Sequence, residues 1–301
     1  MSTISFAGVY APLPTPFDER DRLDVDRLCA ALPRWLASPL AGFVLLGTTG
    51  EAGLVDDEEA DRLVEAVRPL VPRERALLVG VGRESTAATI RAARRAATGG
   101  ADALLVRTPS FFKTRMNDEA LVAYYTAVAD SAPAPVLLYN FAAATGVNLT
   151  PSAVARLASH PNILGIKESG SDLAQIADLV ALASPSFTVL AGSATTFVAA
   201  LGAGVSGGIL ALSALLPEAC VRLFTLMRAG AFDEARQLQQ RLVPLARFIS
   251  TEHGVPALKA ALARSGVDVG LPRRPLVPFD ERHLPALHDL LRGFLTEGVP
   301  V

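Results

Sequence analysis

Residues 76–109, ALLVGVGRESTAATIRAARRAATGGADALLVRTP, contain a complete strand–helix–strand pattern and decide the fold class. Segments 76–82 and 101–109 are short apolar runs, which are typical of buried parallel strands. Between them, segment 85–97 has apolar residues at helical spacing and begins with Ser85, a residue suited to an N-cap. Two apolar strands joined by a helix form a βαβ unit, and this predicts a parallel sheet.

The same pattern recurs along most of the chain. Apolar runs predict eight strands, at 8–17, 42–47, 76–82, 101–109, 135–141, 163–169, 187–193 and 206–212. Amphipathic segments such as 56–70, 85–97, 119–129 and 151–158 lie between them, which predicts one helix after each strand. A doubly wound sheet would usually have fewer strands and a GxGxxG loop after the first, and this loop is absent. The sequence therefore predicts an α/β protein with a (β/α)8 TIM barrel.

Helical patterns continue after the eighth unit. They cover 218–228, 233–249, 256–265 and 280–295, and no Gly/Ser-rich or Pro-rich linker precedes them. We expect a barrel over residues 1–229 and a C-terminal helical extension, residues 230–301, that packs on it.

Composition and charge argue against nucleic acid and membranes as binding partners. Half of the 301 residues are hydrophobic and the formal net charge is −2, so no basic surface for nucleic acid or an anionic membrane is expected.

The uncharged stretch 179–217 is divided by glycines and Pro185 into pieces too short to span a membrane. Residues 1–10 lack the pattern of a signal peptide, which favours a cytoplasmic location. Cys29 and Cys220 are far apart and are interpreted as packing thiols.

Lys167 is the strongest candidate for a reactive group. It follows the apolar run Ile163-Leu164-Gly165-Ile166 at the end of a predicted strand, where loss of water disfavours the ammonium and frees the amine. The alternatives are a salt bridge to Glu168 or a side chain that extends to the rim. The chain has only three lysines against twenty-five arginines, which favours a role that a guanidinium cannot perform.

Other candidates lie at the same predicted end of the barrel. Tyr139, one strand away, is expected to bring its hydroxyl near the Lys167 amine, although a core tyrosine is an equal alternative. Thr48 and Thr49 lie between two glycines and could bind a carboxylate, though GTTG is by itself a weak signal.

The four histidines do not predict a metal site. His160, His253, His283 and His288 all occur late in the chain, away from predicted strand ends and without clustered carboxylates. We therefore expect no metal. No organic cofactor is expected either, because an imine at Lys167 would itself supply the electron withdrawal.

Three motifs carry a resemblance to a known family. GTTGE at 47–51, LLYN at 137–140 and GIKES at 165–169 are collinear with those of the dihydrodipicolinate synthase and N-acetylneuraminate lyase superfamily, and further matches extend the resemblance over nearly the whole chain. The resemblance implies that Lys167 forms an imine with pyruvate, that Tyr139 relays protons and that Thr48 takes part in catalysis. It also implies that Thr48 and Thr49 hold the pyruvate carboxylate. Further residues that would line the same pocket are Ser169, Gly192 and Ile209. A homotetramer built as a dimer of dimers is expected.

Two departures from the family pattern bear on the substrate. True dihydrodipicolinate synthases have an arginine in the loop after strand five, whereas this chain reads YNFAAATG at 139–146. They also use a tyrosine from a neighbouring subunit, and here Phe111 or Phe112 takes its place. Residues 109–116 look more like the 4-hydroxy-2-oxoglutarate aldolase branch, and the Ala-Thr-Gly at 144–146 is similar to 2-keto-3-deoxy-sugar-acid aldolases.

The candidate residues and the resemblance together predict a class I aldolase that cleaves or forms a 4-hydroxy-2-oxo acid from pyruvate and an aldehyde. The resemblance implies that this acid is 4-hydroxy-2-oxoglutarate or a 2-keto-3-deoxy sugar acid. One alternative is 4-hydroxy-tetrahydrodipicolinate synthesis from pyruvate and aspartate semialdehyde. A second is a non-catalytic protein that binds a 2-oxo acid, an alternative that the missing relay hydroxyl supports.

Overall fold

The computed structural model describes residues 6–295 and contains a closed barrel of eight parallel strands in the order β1 to β8. The strands are β1 Gly8–Pro12, β2 Gly42–Leu45, β3 Ala76–Gly80, β4 Ala103–Arg107, β5 Val136–Asn140, β6 Ile163–Glu168, β7 Thr188–Ala191 and β8 Gly207–Ile209. The predicted (β/α)8 TIM barrel is confirmed.

All eight predicted strands end earlier than expected. The first was predicted to reach residue 17 but ends at Pro12, because Pro14 and Pro16 have no backbone N–H to continue the ladder. The remaining residues of each predicted strand form the loops at the carboxyl end of the barrel. In a (β/α)8 barrel these loops hold the active site.

Helices surround the barrel. Within residues 6–295 they are α1 Val25–Leu36, α2 Asp57–Val67, α3 Thr86–Thr98, α4 Asp118–Ser131, α5 Ala142–Thr145, α6 Pro151–Leu157, α7 Leu173–Val180, α8 Phe197–Ala203, α9 Ala211–Leu215, α10 Pro217–Arg228, α11 Phe232–Arg247, α12 Gly254–Arg264 and α13 Leu284–Leu295. The expectation of one helix after each strand was wrong at two places, since β5 is followed by α5 and α6, and β8 by α9 and α10. No helix in this part of the chain is long and apolar enough to cross a membrane.

Local signals set several helix starts. The side chain of Ser85 accepts a hydrogen bond from Ala88 N and caps α3. Asp56 and Glu59 form a reciprocal capping box at the start of α2. The predicted helix at 233–249 ends at Arg247, and a π-helical turn, Phe248–Glu252, follows it.

Apolar side chains form two layers. An inner cluster fills the barrel and includes Tyr10, Leu105, Tyr139 and Ile209. A larger outer cluster lies between strands and helices and continues into α11 and α12, which therefore share the core of the barrel. Helix α11 packs against α8, α10 and α13, while α12 packs against α9. The domain division at residues 229 and 230 falls in the turn between α10 and α11 and stays a prediction, and residues 296–301 lie outside the described part of the chain.

Candidate active site

Lys167 lies near the carboxyl end of β6, paired with Tyr139 on β5 and Leu190 on β7. The residue is only 5% exposed, and its Nζ lies 4.2 Å from the centroid of the Tyr139 ring. Within residues 6–295 no hydrogen-bond acceptor or carboxylate contacts Nζ. The amine is therefore held by packing against an aromatic face and is not neutralised by a protein anion.

Glu168, the next residue, does not form the salt bridge that would give Lys167 a structural role. Alternation along the strand turns Glu168 away from Lys167. Its Oε2 accepts hydrogen bonds from Asn140 Nδ2 at 2.7 Å and Gln175 Nε2 at 2.9 Å, and its Oε1 accepts one from Gly170 N at 2.5 Å. The carboxylate therefore belongs to a separate network that joins β5, β6 and α7.

Tyr139 connects Lys167 to the loop after β2. Its hydroxyl lies 2.9 Å from Thr48 Oγ1, and either oxygen can donate. The amine lies over the face of the ring, and the hydroxyl of the same ring is hydrogen-bonded to Thr48. The predicted proximity of the Tyr139 hydroxyl to the Lys167 amine stays a prediction. The three side chains form a contiguous series in which a proton could move between Tyr139 and Thr48.

The GTTGE loop has an unusual backbone. Leu46, which precedes the loop, and Glu51, its last residue, have φ values of 55° and 53°. This left-handed conformation costs free energy in residues other than glycine. Glu51 N donates to Thr48 O at 3.0 Å, which closes the turn. Thr48 is exposed, whereas Thr49 is buried. Strain of this kind persists only where surrounding contacts hold the loop.

Ser169 and Gly192 are brought together at the ends of β6 and β7. A Cβ at residue 192 would lie 1.8 Å from Ser169 Oγ, so only glycine allows this approach. Gly192 N also donates to Glu168 O at 2.6 Å. Ile209, at the end of β8, is fully buried in the same inner cluster as Tyr139.

Two charged residues were not assigned a role from the sequence. Lys259 on α12 is buried and forms an ion pair with Glu51 Oε1 at 2.6 Å, which links the C-terminal extension to the GTTGE loop. Arg107 is the last residue of β4 and pairs with Tyr139 across the sheet. The sequence could have indicated its inward position, because Ala103, Leu105 and Arg107 are two residues apart and therefore lie on the same face of the predicted strand.

The fold and this site define the class of protein. A closed parallel barrel carries a buried lysine beside a tyrosine at the end where barrel enzymes hold their active sites. An amine in such surroundings is suited to imine formation with a carbonyl compound.

Comparisons with known proteins agree with this class. Residues 5–293 match the model of the Dihydrodipicolinate synthetase family, and the chain belongs to this family. It is 40% identical over 283 residues to 4-hydroxy-tetrahydrodipicolinate synthase of Xanthomonas campestris pv. campestris, covering 94% of this chain and 93% of that protein. It is 35% identical over 287 residues to a probable mitochondrial 4-hydroxy-2-oxoglutarate aldolase of Emericella nidulans, covering 94% and 93%.

Solved structures extend the comparison. A prophage protein of the dihydrodipicolinic acid synthase family from E. coli K12, solved in complex with pyruvate, superposes with a TM-score of 0.89 at 29% identity, covering 96% of this chain and 99% of that one. The chain is accordingly a class I carbon–carbon lyase, an aldolase of the Schiff-base type.

Proposed function

We propose that the chain cleaves or forms a 4-hydroxy-2-oxo acid, with pyruvate as one partner and an aldehyde as the other, through an imine at Lys167. The observation that carries the proposal is the buried Lys167 amine, which has no protein acceptor within residues 6–295 and lies against Tyr139. The pyruvate complex of the E. coli family member supports the choice of oxo acid.

The proposed reaction divides its steps among three side chains. The Lys167 amine attacks the 2-oxo carbon and water leaves, so that the iminium can accept the electron pair of the C3–C4 bond. The Tyr139 oxygen removes the proton of the C4 hydroxyl as that bond breaks, and Thr48 Oγ1, 2.9 Å away, exchanges a proton with it. The aldehyde leaves, and the enamine that remains on Lys167 takes the proton from Tyr139 at C3 to become the pyruvate imine. Hydrolysis of that imine releases pyruvate and restores the amine.

The remaining site residues would hold the oxo acid. We infer that Thr48 and Thr49 bind the pyruvate carboxylate through the GTTG turn, and that the wall of the pocket includes Ser169, Gly192 and Ile209. The buried lysine supports a reaction that needs neither metal nor organic cofactor, because the iminium supplies the electron withdrawal. A homotetramer, a dimer of dimers, and a cytoplasmic location are part of the same proposal.

Two alternatives to the aldolase are supported by particular observations. One uses a different aldehyde as the partner of pyruvate, and the other binds a 2-oxo acid without turnover. The 40% identity to the Xanthomonas enzyme favours 4-hydroxy-tetrahydrodipicolinate synthesis with aspartate semialdehyde. Phe111 and Phe112, 79% and 68% exposed, stand where a tyrosine is expected from the resemblance, and this favours a non-catalytic 2-oxo-acid-binding protein. The relatives include both a synthase and an aldolase, so the acceptor must be measured directly.

The test is a screen of pyruvate release from 4-hydroxy-2-oxo acids, run beside condensation of pyruvate with aspartate semialdehyde. We expect release from at least one hydroxy-oxo acid, with a kcat/KM above that of the condensation. A preference for aspartate semialdehyde would establish the synthase instead. Imine formation with pyruvate, without any turnover, would establish the binding protein.

A further inference from the structure

Arg107 is an arginine on the inner side of the barrel mouth. Ala103 and Leu105 of the same strand belong to the inner cluster, so alternation directs Arg107 inward as well. Across the sheet Arg107 pairs with Tyr139, and Tyr139 pairs with Lys167. Because neighbouring strands lie about 4.8 Å apart, the Cα atoms of Arg107 and Lys167 are separated by about 10 Å.

The neighbouring strand leaves room for this side chain. A Cβ at residue 82 would lie 2.7 Å from Arg107 Cγ, so the absence of a side chain at Gly82 allows the arginine to extend over the end of β3. There it meets Glu84. The side chain of Arg107 remains 30% exposed, so a small molecule in the barrel mouth can reach it.

Among the described residues 6–295, only one nitrogen of the Arg107 guanidinium has protein partners. Its Nη1 lies 2.9 Å from Glu84 Oε1 and donates to Thr108 O at 3.1 Å. Within residues 6–295, neither Nε nor Nη2 donates a hydrogen bond to the protein. These two nitrogens form one edge of the guanidinium, and that edge matches the two oxygens of a carboxylate.

Glu84 does not occupy the whole guanidinium because it is held elsewhere. Its Oε2 accepts from Ser110 N at 2.8 Å and Phe111 N at 2.9 Å, in the loop that follows β4. Burial alone would raise the pKa of Glu84, but these bonds and Arg107 outweigh it and lower the pKa below the ordinary value. The ionised Glu84 therefore fixes Nη1 and leaves the other edge directed away from it.

We propose that Arg107 binds a second carboxylate, at the end of the substrate remote from the 2-oxo group, so that the acceptor aldehyde is itself an acid. This inference rests on the proposed function and specifies its substrate class. In a five-carbon 4-hydroxy-2-oxo diacid, three C–C bonds of about 1.5 Å separate the imine carbon from the far carboxyl carbon. Lys167 on β6 and Arg107 on β4 lie on either side of Tyr139 on β5, at the positions that the two ends of such a molecule would occupy. Residues 141–150, which follow β5, contain no Arg or Lys, and Arg107 on the adjacent strand supplies the cation.

The test compares two substrates in the full-length enzyme. Pyruvate release is measured for 4-hydroxy-2-oxoglutarate, which has the second carboxylate, and for 2-keto-3-deoxygluconate, which ends in an uncharged alcohol. Hydrogen bonds between charged groups contribute about 1.5–3 kcal/mol, so Arg107→Met should lower the ratio of the two kcat/KM values about 10- to 100-fold. Arg107→Lys should recover part of the ratio.

Two further variants separate recognition from support of the loop. Lys113→Met removes another cation of the loop after β4, whose Nζ lies near Gly146, and should leave the ratio unchanged. Glu84→Gln removes the anion that fixes Nη1 and should lower the ratio. If Arg107 only supported the loop, Arg107→Met and Glu84→Gln would lower kcat/KM equally for both substrates. The ratio of the two values would then stay unchanged.

The outcomes distinguish this inference from the proposed function. A wild type that cleaves both substrates, with a ratio that Arg107→Met does not change, overturns the role of Arg107 and leaves the aldolase intact. A wild type that cleaves only the uncharged substrate also overturns it. If neither is cleaved while aspartate semialdehyde condenses with pyruvate, the proposed aldolase function fails. Borohydride trapping of pyruvate by Arg107→Met confirms that the variant retains a folded site.

Discussion

Lys167 and Lys259 are both buried lysines, yet their surroundings are opposite. Lys259 is 3% exposed, and its Nζ forms an ion pair with Glu51 and donates to Thr15 O and Leu271 O, each at 2.6 Å. Lys167 is 5% exposed, and its amine lies over the Tyr139 ring. Within residues 6–295 this amine has no hydrogen bond or ion pair. Burial is therefore common to both lysines, and the set of partners distinguishes Lys259 from the proposed imine-forming residue, Lys167.

The partners of Lys259 connect the C-terminal extension to the GTTGE loop. Burial lowers its pKa, and the Glu51 carboxylate partly opposes that shift. Glu51 Oε2 also accepts from Arg273 N at 2.8 Å, and Thr15 Oγ1 donates to Gly50 O at 2.7 Å. These contacts hold the left-handed end of the GTTGE loop, so the structural lysine supports the loop that the reactive site needs.

Replacement of Lys167 should give the largest effect. Lys167→Met and Lys167→Arg should each lower turnover by about 10⁴-fold or more, because neither side chain offers a free amine. The free energy of unfolding should change by about 1 kcal/mol or less, since no ion pair is lost. Pyruvate release and urea denaturation measure the two quantities, with Lys113→Met as the control. Turnover in Lys167→Arg comparable with the wild type would contradict the assignment.

Tyr139→Phe should rank second. The ring stays beneath Nζ, but the hydroxyl that bonds to Thr48 is lost, and removal of an acid–base group costs about 10²–10⁴-fold in turnover. Borohydride trapping of pyruvate should still succeed, though more slowly. Single-turnover kinetics separate the two steps, and an unchanged rate of C3–C4 cleavage would exclude the proton transfer assigned to Tyr139.

Lys259→Met should lower the free energy of unfolding and should not remove a group that takes part in the reaction. It leaves Glu51 charged and buried without its partner, a change that costs about 3–5 kcal/mol. The double variant Glu51→Leu/Lys259→Met removes both charges and should regain most of that loss. Urea denaturation measures both, and the double variant remains informative if the single one does not fold. A single variant as stable as the wild type would show that the pair is not needed.

The sequence predicted the barrel, which is confirmed, and a set of site residues, which stays a prediction. It could not separate the two buried lysines. Strand and helix periodicity was enough to find all eight strands, because buried parallel strands are continuous apolar runs. The scarcity of lysine favoured Lys167, but the same argument applies to Lys259. Their difference depends on Glu51, which lies more than two hundred residues from Lys259 in the chain, and no local pattern reports such a contact.

The direction of two side chains also depended on tertiary packing. Alternation correctly placed Tyr139 inside the barrel, but the conformation of the GTTGE loop decided that its hydroxyl meets Thr48. Arg107 occupied an inward position of a predicted strand, and its free guanidinium edge became evident only with Glu84 and Gly82 around it.

Thr15→Val should give the smallest effect. The change keeps the shape of a buried side chain and removes the hydroxyl that donates to Gly50 O, a loss of about 1 kcal/mol. Because Lys259 bonds to the backbone oxygen of Thr15, that contact remains. Urea denaturation should detect this loss in the free energy of unfolding. A loss as large as that of Lys259→Met would mean that the Thr15 hydroxyl, and not the ion pair, holds the loop.

Reduction with borohydride in the presence of pyruvate, followed by peptide mass mapping of the wild-type chain, tests the contrast between the two lysines most directly. We predict one reduced pyruvate on the peptide that contains Lys167 and none on the peptide that contains Lys259. Label on Lys259, or no label on any lysine, would contradict the assignment of Lys167 as the imine-forming residue.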